Sequence, residues 1–136
     1  MPIWVIAILV FLAVLFFLAL CLAWKKFHRK GFSDEQSVYI KAHWIRIIDA
    51  FSSHPGQSVL DADKLLDYAL KCYGYEGSLG EKLKKAGGRF SDLNGVWSAH
   101  KLRNTLAHEL VNVNNGHGKQ ALVGFKKALN DLGANL

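Results

Sequence analysis

The chain combines one long apolar run with a series of amphipathic segments. Ile3–Trp24 is an unbroken run of 22 apolar residues without a single charge. At about 1.5 Å per residue, a helix of this length crosses a bilayer core of about 30 Å. From residue 31 onward, apolar residues recur at helical spacing and no stretch shows the alternation of a strand.

Capping and breaker residues predict where the helices of residues 31–136 begin and end. Ser-Asp-Glu-Gln at residues 33–36 is a capping box that starts a helix over about residues 34–52. A second box, Ser-Leu-Gly-Glu at residues 78–81, starts a short helix that the glycine pair 87–88 ends. The other predicted helices cover about residues 58–73, 92–110 and 119–132, with a polar turn over residues 112–118. Four longer helices and one short helix predict an all-α protein, an up-and-down helical bundle behind an N-terminal transmembrane helix.

The predicted bundle helices carry rows of apolar side chains that supply a small single core. On the first helix, one row is formed by Val38, Ile45 and Ile48. Beside that row lie Ile40, Trp44, Ile47 and Phe51. The second helix is expected to turn Ala62, Leu65, Leu66, Ala69, Leu70 and Tyr73 inward.

The apolar run divides the chain into residues 1–30, a transmembrane anchor with a basic flank, and residues 31–136, a helical domain. Trp4 and Trp24 stand at the two ends of the run, where indole rings favour the headgroup level. The predicted partner of residues 3–24 is therefore the lipid bilayer. A cleaved signal peptide is the main alternative, but no Lys or Arg precedes the run.

The charges that follow the run predict its orientation. Four basic residues come directly after it, namely Lys25, Lys26, Arg29 and Lys30. Because positively charged flanks stay in the cytoplasm, we expect a single-pass protein of the cell membrane with its N-terminus outside and residues 31–136 in the cytoplasm.

The net charge of +6 does not by itself indicate a nucleic-acid-binding domain. Four of the 17 basic residues form the flank, and the other 13 stand against 11 acidic residues, a net charge of +2. Most of the excess positive charge therefore indicates the orientation of the span in the membrane and contact with lipid headgroups. Cys21 and Cys72 do not form a disulfide pattern.

An unusual set of polar side chains marks the predicted helix over residues 92–110. His100, Asn104 and His108 follow one another at intervals of four residues, so they share a side of the helix, and Arg103 lies on its flank. A solvated helix face would more usually carry Lys and Glu. We therefore take these residues as the candidate functional site.

One interpretation of this set is structural. Asp63 and Asp67 lie four residues apart on the preceding long helix and could each pair with Arg103. A buried polar network would then be completed by His100, Asn104 and His108.

The other interpretation comes from a family resemblance. Arg-Asn-Thr-Leu-Ala-His at residues 103–108 resembles the signature of HEPN domains, an Arg followed after four to six residues by a His. The resemblance covers about residues 33–133, and the specific part is these six residues. The layout of a short anchor before such a domain also resembles that of small bacterial membrane proteins.

The resemblance implies a helical domain that dimerises through the motif helix, and in many members a metal-independent RNase. In that case His108 would act as acid or base, Arg103 would hold the phosphate, and Asn104 would orient them by a hydrogen bond. Other members bind partners without cleaving RNA. We expect a binding, regulatory or dimerisation module with RNA or a protein as partner, and keep the RNase as the alternative.

No cofactor or metal site is expected. The histidines His43, His54, His100 and His117 lack the spacing of metal ligands. A basic patch follows the second capping box, and we interpret it as a solvated helix face with RNA contact as the alternative. The patch consists of Lys82, Lys84, Lys85 and Arg89.

Overall fold

A computed structural model describes residues 1–27, 31–109 and 111–136, with the backbone alone for residues 25–27. The described residues contain helices and no strand, so the prediction of an all-α helical bundle is confirmed. The α-helices are α1 (Ile3–Phe27), α2 (Asp34–Ala50), α3 (Pro55–Cys72), α4 (Leu79–Ala86), α5 (Leu93–His108) and α6 (Asn115–Asp131). A 3₁₀ turn, Gly87–Arg89, follows α4.

The chain forms two compact units, Met1–Lys30 and Gly31–Leu136. The first consists of α1, whose side chains from Ile3 to Trp24 are almost all exposed. By length and composition, α1 is the one helix among the described residues that could cross a membrane. The basic flank on which the predicted orientation depends falls on residues 25–30, whose side chains lie outside the described part.

Both predicted capping boxes are present at the starts of α2 and α4. On α2, Gln36 N–H donates to Ser33 Oγ at 3.2 Å and Ser33 N–H donates to Gln36 Oε1 at 3.0 Å. On α4, Ser78 and Glu81 exchange the same two bonds at 3.3 and 2.7 Å. These bonds satisfy first-turn N–H groups that would otherwise lack an acceptor.

Two helices begin earlier than predicted. α3 starts at Pro55 and not at about residue 58, because proline is well suited to the first position of a helix. The prediction of a polar turn over residues 112–118 is wrong for its second half, since α6 starts at Asn115. Asn114 caps it by accepting a hydrogen bond from Gly116 N–H at 2.7 Å. The predicted end of α5 at Leu110 lies outside the described residues.

α3 occupies the centre of the bundle, in contact with α2, α4, α5 and α6. Eight of its residues are buried, compared with three on α2 and two on α5. α5 and α6 approach each other closely at Gly124, where an added Cβ would lie 2.9 Å from the carbonyl oxygen of Gly95. The candidate site lies at the contact between α5 and this central helix α3.

The two apolar rows of α2 have different environments. Ile40, Trp44 and Ile47 are buried against the rest of the bundle. The row formed by Val38, Ile45 and Ile48 is exposed, and nothing in the described chain covers it.

Candidate functional site

The candidate site lies where α5 packs against α3. Asp63 projects from α3 and is only 4% exposed. On α5, the spacing of three and four residues places His100, Arg103 and Asn104 on one side of the helix, toward that carboxylate. Of the two aspartates considered as partners for this side of α5, the structure places Asp63 there.

The Asp63 carboxylate accepts from one side chain and forms an ion pair with another. His100 Nδ1 lies 2.7 Å from Asp63 Oδ1, and since a carboxylate only accepts, Nδ1 carries the proton. Arg103 Nε lies 3.1 Å from Asp63 Oδ2 but is too poorly aligned for a hydrogen bond, so this contact is an ion pair. Both oxygens of the buried carboxylate thus have a partner.

Asn104 closes the cluster into a ring. Arg103 Nη1 donates to Asn104 Oδ1 at 3.1 Å, which sets the orientation of the amide because a guanidinium has only donors. Asn104 Nδ2 then lies 3.4 Å from His100 Nε2, a long polar contact. Three residues of α5 are therefore held to each other and to α3.

Asp67, the other candidate in the polar network, has different partners. Its carboxylate binds Lys82 Nζ at 2.6 Å and Lys71 Nζ at 3.2 Å, and it makes no ion pair with Arg103. Lys82 is completely buried, so the prediction that it belongs to a solvated basic face is wrong. The signal was its spacing, because Lys82 lies between Leu79, Leu83 and Ala86 on the apolar face of α4.

His108 lies outside the cluster. It is the last residue of α5 and is exposed. Arg103 and His108 are five residues apart, which separates them by about 140° around a helix. One chain therefore does not direct both side chains at the same point.

A cleft of about 740 Å³ opens beside the cluster, between α3, the start of α4 and α5. His100, Arg103 and Asn104 line one wall, and the side chain of Arg103 is 29% exposed there. Tyr68 also lines this cleft. Burial raises the pKa of the Tyr68 phenol, and a hydrogen bond with the Cys72 side chain raises this pKa further.

The described part of the chain has no group of three or more His, Cys, Asp or Glu side chains that could hold a metal ion. The histidine of the cluster has one carboxylate partner, and the other carboxylate nearby is engaged by two lysines. What the site presents chemically is a partly exposed guanidinium and an amide beside an open cleft.

The chain matches no protein-family model, no curated protein and no solved structure. The HEPN resemblance accordingly rests on the six-residue motif and on the helical setting. What the motif residues do must be argued from their contacts.

Proposed function

We propose that this chain is a membrane-anchored, HEPN-like helical module that binds a partner and does not catalyse a reaction. The observation that supports this most directly is that Arg103 and His100 share one buried carboxylate, Asp63. A nearby carboxylate weakens the attraction of a guanidinium for phosphate, and here an Asp63 oxygen lies 3.1 Å from Arg103 Nε. The cluster is better suited to holding α5 on α3 than to attacking a bond.

The anchor in this proposal is Ile3–Trp24, with the N-terminus outside the cell and the bundle in the cytoplasm. Its support is the length and apolar character of α1, together with the four basic residues that follow it in the sequence. A module held at the inner face of the membrane meets partners that are themselves at the membrane.

The docking helix in this proposal is α5, and the partner is a second copy of the chain. Val96 and Ala99 are its only buried residues within the described chain, whereas Leu102 and Leu106 are only partly covered. The apolar area that these leucines leave uncovered supports a contact on this helix. Two copies that pair through α5 would cover them.

A metal-independent RNase is the second candidate, and two observations favour it. His108 is exposed, and Arg103 retains 29% exposure in the cleft. In a dimer formed through α5, His108 of one copy could act as acid or base beside Arg103 and Asn104 of the other.

An RNA-cleavage assay separates the two candidates. The full-length chain in detergent micelles is incubated with RNA in the presence of EDTA, beside the variants Arg103→Ala and His108→Ala. We expect equal, background cleavage from all three. Cleavage by the native chain that both variants lose would replace the binding module with the nuclease.

A cross-linking experiment tests the proposed contact through α5. Thr105 is an exposed residue of α5 and Lys126 is an exposed residue of α6. In a background of Cys21→Ala and Cys72→Ala, Thr105→Cys should form a disulfide-linked dimer in liposomes, and Lys126→Cys should not. Equal yields from the two cysteines would exclude α5 as the specific contact.

A further inference from the structure

The exposed apolar row of α2 has no role in the site on α5. Val38, Ile45 and Ile48 are 68%, 59% and 46% exposed. The described part of the bundle contains five large aliphatic side chains this exposed, and three of them form this row. Scattered exposed aliphatics are ordinary, but three on one face of a single helix indicate a contact surface.

Two opposite charges flank the centre of the row. Lys41 lies one turn before Ile45 and Asp49 lies one turn after it, and both are exposed. Within the described residues, neither Lys41 nor Asp49 forms an ion pair or a side-chain hydrogen bond. Ile45 therefore has a positive charge one turn before it and a negative charge one turn after it.

We propose that two copies of the chain pair through α2, with the helices antiparallel and centred on Ile45. Antiparallel pairing brings Lys41 of each copy to the level of Asp49 of the other, so two ion pairs form around an apolar centre. A parallel pairing would place Lys41 beside Lys41 and Asp49 beside Asp49. The charge pattern of α2 is thus complementary to itself in one direction only.

A bilayer surface is a poorer occupant of the same row. The formal charges of α2 are three acidic residues and two basic residues, a net charge of −1. An anionic lipid surface attracts helices whose apolar face is bordered by Lys and Arg. Asp34 and Asp49, which lie along this row, would instead approach anionic headgroups.

A contact made by one helix from each copy is small. Anchoring both copies in the same membrane makes this small contact sufficient for pairing. Two copies held in one membrane meet at a much higher effective concentration than two free domains. This step rests on the proposed function, since it needs the anchor. The α2 contact is separate from the α5 contact, and a chain that uses both would assemble beyond a dimer.

Cysteine cross-linking of the full-length chain in liposomes tests the pairing, again in the background of Cys21→Ala and Cys72→Ala. A residue on the two-fold axis faces the same residue of the other copy, so Ile45→Cys should form a disulfide dimer rapidly. Val123, 65% exposed on α6, supplies the matched control Val123→Cys. Equal rates for these two cysteines would overturn the proposal.

The direction of pairing is tested with the two charged positions. A mixture of Lys41→Cys and Asp49→Cys chains should form mixed disulfides faster than either variant alone. Faster self-linking of Lys41→Cys would show parallel helices and overturn the proposed arrangement.

Charge reversal completes the test. Lys41→Glu should slow the cross-linking of Ile45→Cys about tenfold, and adding Asp49→Lys should restore it. A double variant as slow as the single one would contradict the ion pairs. Flotation of the chain with liposomes reports the anchor, and Thr105→Cys reports α5, so failure of either proposed feature is distinguishable from failure of the α2 contact.

Discussion

At the scale of single residues, the bundle places charge inside its core at two points. Asp63 is buried with His100 and Arg103, and Lys82 is buried with Asp67. The two pairs differ in which member can reach water. Arg103 and Asp67 are 29% and 27% exposed, whereas Asp63 and Lys82 are almost fully enclosed. The loss of a partner should therefore matter most where it leaves an enclosed charge.

Arg103→Ala should lower the free energy of unfolding by about 2 kcal/mol, because among the described residues Asp63 is left with His100 as its one partner. The expected loss is smaller than for a fully buried pair, since Arg103 is partly solvated. Denaturant titration of the full-length chain in micelles, followed by circular dichroism, measures it. His108→Ala is the control and should change stability by less than about 0.5 kcal/mol, because this side chain is exposed. Equal effects would show that the Asp63 pair does not stabilise the fold.

Lys82→Met should change the free energy of unfolding by less than about 1 kcal/mol, because methionine fills the space and Asp67 keeps both solvent and Lys71. Lys82→Ala should lower it by about 2 kcal/mol or more, since it leaves a cavity. The same titration compares the two variants, with the exposed Lys84→Ala as reference. A Met variant as unstable as the Ala variant would mean that the ion pair, rather than the packing of the lysine stem, holds α4 on α3.

At the scale of the helices, capping residues set where a helix begins, and close contacts between helices limit side-chain size at other positions. The two capping boxes are purely local, and the side chain that bonds back to the capping serine is Gln36 on α2 and Glu81 on α4. The bond from the backbone N–H of Ser78 lowers the pKa of the Glu81 carboxyl. The α4 cap should therefore respond to acid, and the α2 cap should not.

Glu81→Gln tests that difference. A carboxyl whose pKa is lowered by folding stabilises the fold above its unfolded value of about 4.3, and this contribution is lost as the pH falls through the lower folded value. The variant keeps the box at neutral pH, as Gln36 does, so the thermal midpoint Tm at pH 7 should barely change. Between about pH 5 and 3 the Tm of the variant should fall less steeply than that of the native chain. Parallel curves would contradict this, and Glu76→Gln controls for the loss of an exposed carboxylate.

Gly124→Ala should destabilise the bundle by about 1–3 kcal/mol, because the added methyl meets the carbonyl of Gly95 where α5 and α6 touch. Gly56 on α3 is the matched control, since an added Cβ there has nothing within 4 Å. Gly56→Ala should stabilise by up to about 1 kcal/mol through helix propensity. Thermal unfolding of both variants shows whether the close approach of α5 and α6 or helix propensity determines the effect of alanine at position 124.

At the scale of the whole molecule, the proposed role depends on which side of the membrane holds the bundle. With the N-terminus outside, Pro2→Cys in the background of Cys21→Ala and Cys72→Ala should react with a membrane-impermeant maleimide on intact cells. Ser53→Cys, in the exposed turn between α2 and α3, should react only after permeabilisation. The reverse pattern would place the bundle outside the cell and remove RNA and cytoplasmic proteins as partners.

Much of this architecture could be predicted from the sequence, because the signals are local. The apolar run, the two capping boxes and the helical spacing depend on residues at most a few turns apart. The errors in the predicted helix starts arose where one local sequence signal is compatible with two structures. Pro55 can break a chain or begin a helix, and residues 115–118 are polar enough for a turn yet begin α6 behind the cap at Asn114.

The candidate site could be predicted in part. The spacing of His100, Arg103 and Asn104 on one side of a helix followed from the sequence, and the structure brings these three together. It leaves His108 outside, exposed as the last residue of α5. The choice of Asp63 over Asp67 depends on the position of α5 along α3, which no local pattern contains.

The sequence by itself determined the all-α class, the helix starts at Asp34 and Leu79, and one helix able to span a bilayer. These features depend on hydrogen bonds and hydrophobicity within a segment. Only the tertiary structure decided which row of α2 is buried, which aspartate joins Arg103, and that Lys82 is enclosed. Helical periodicity shows that a face exists, but burial and ion pairing depend on which neighbouring helix that face meets.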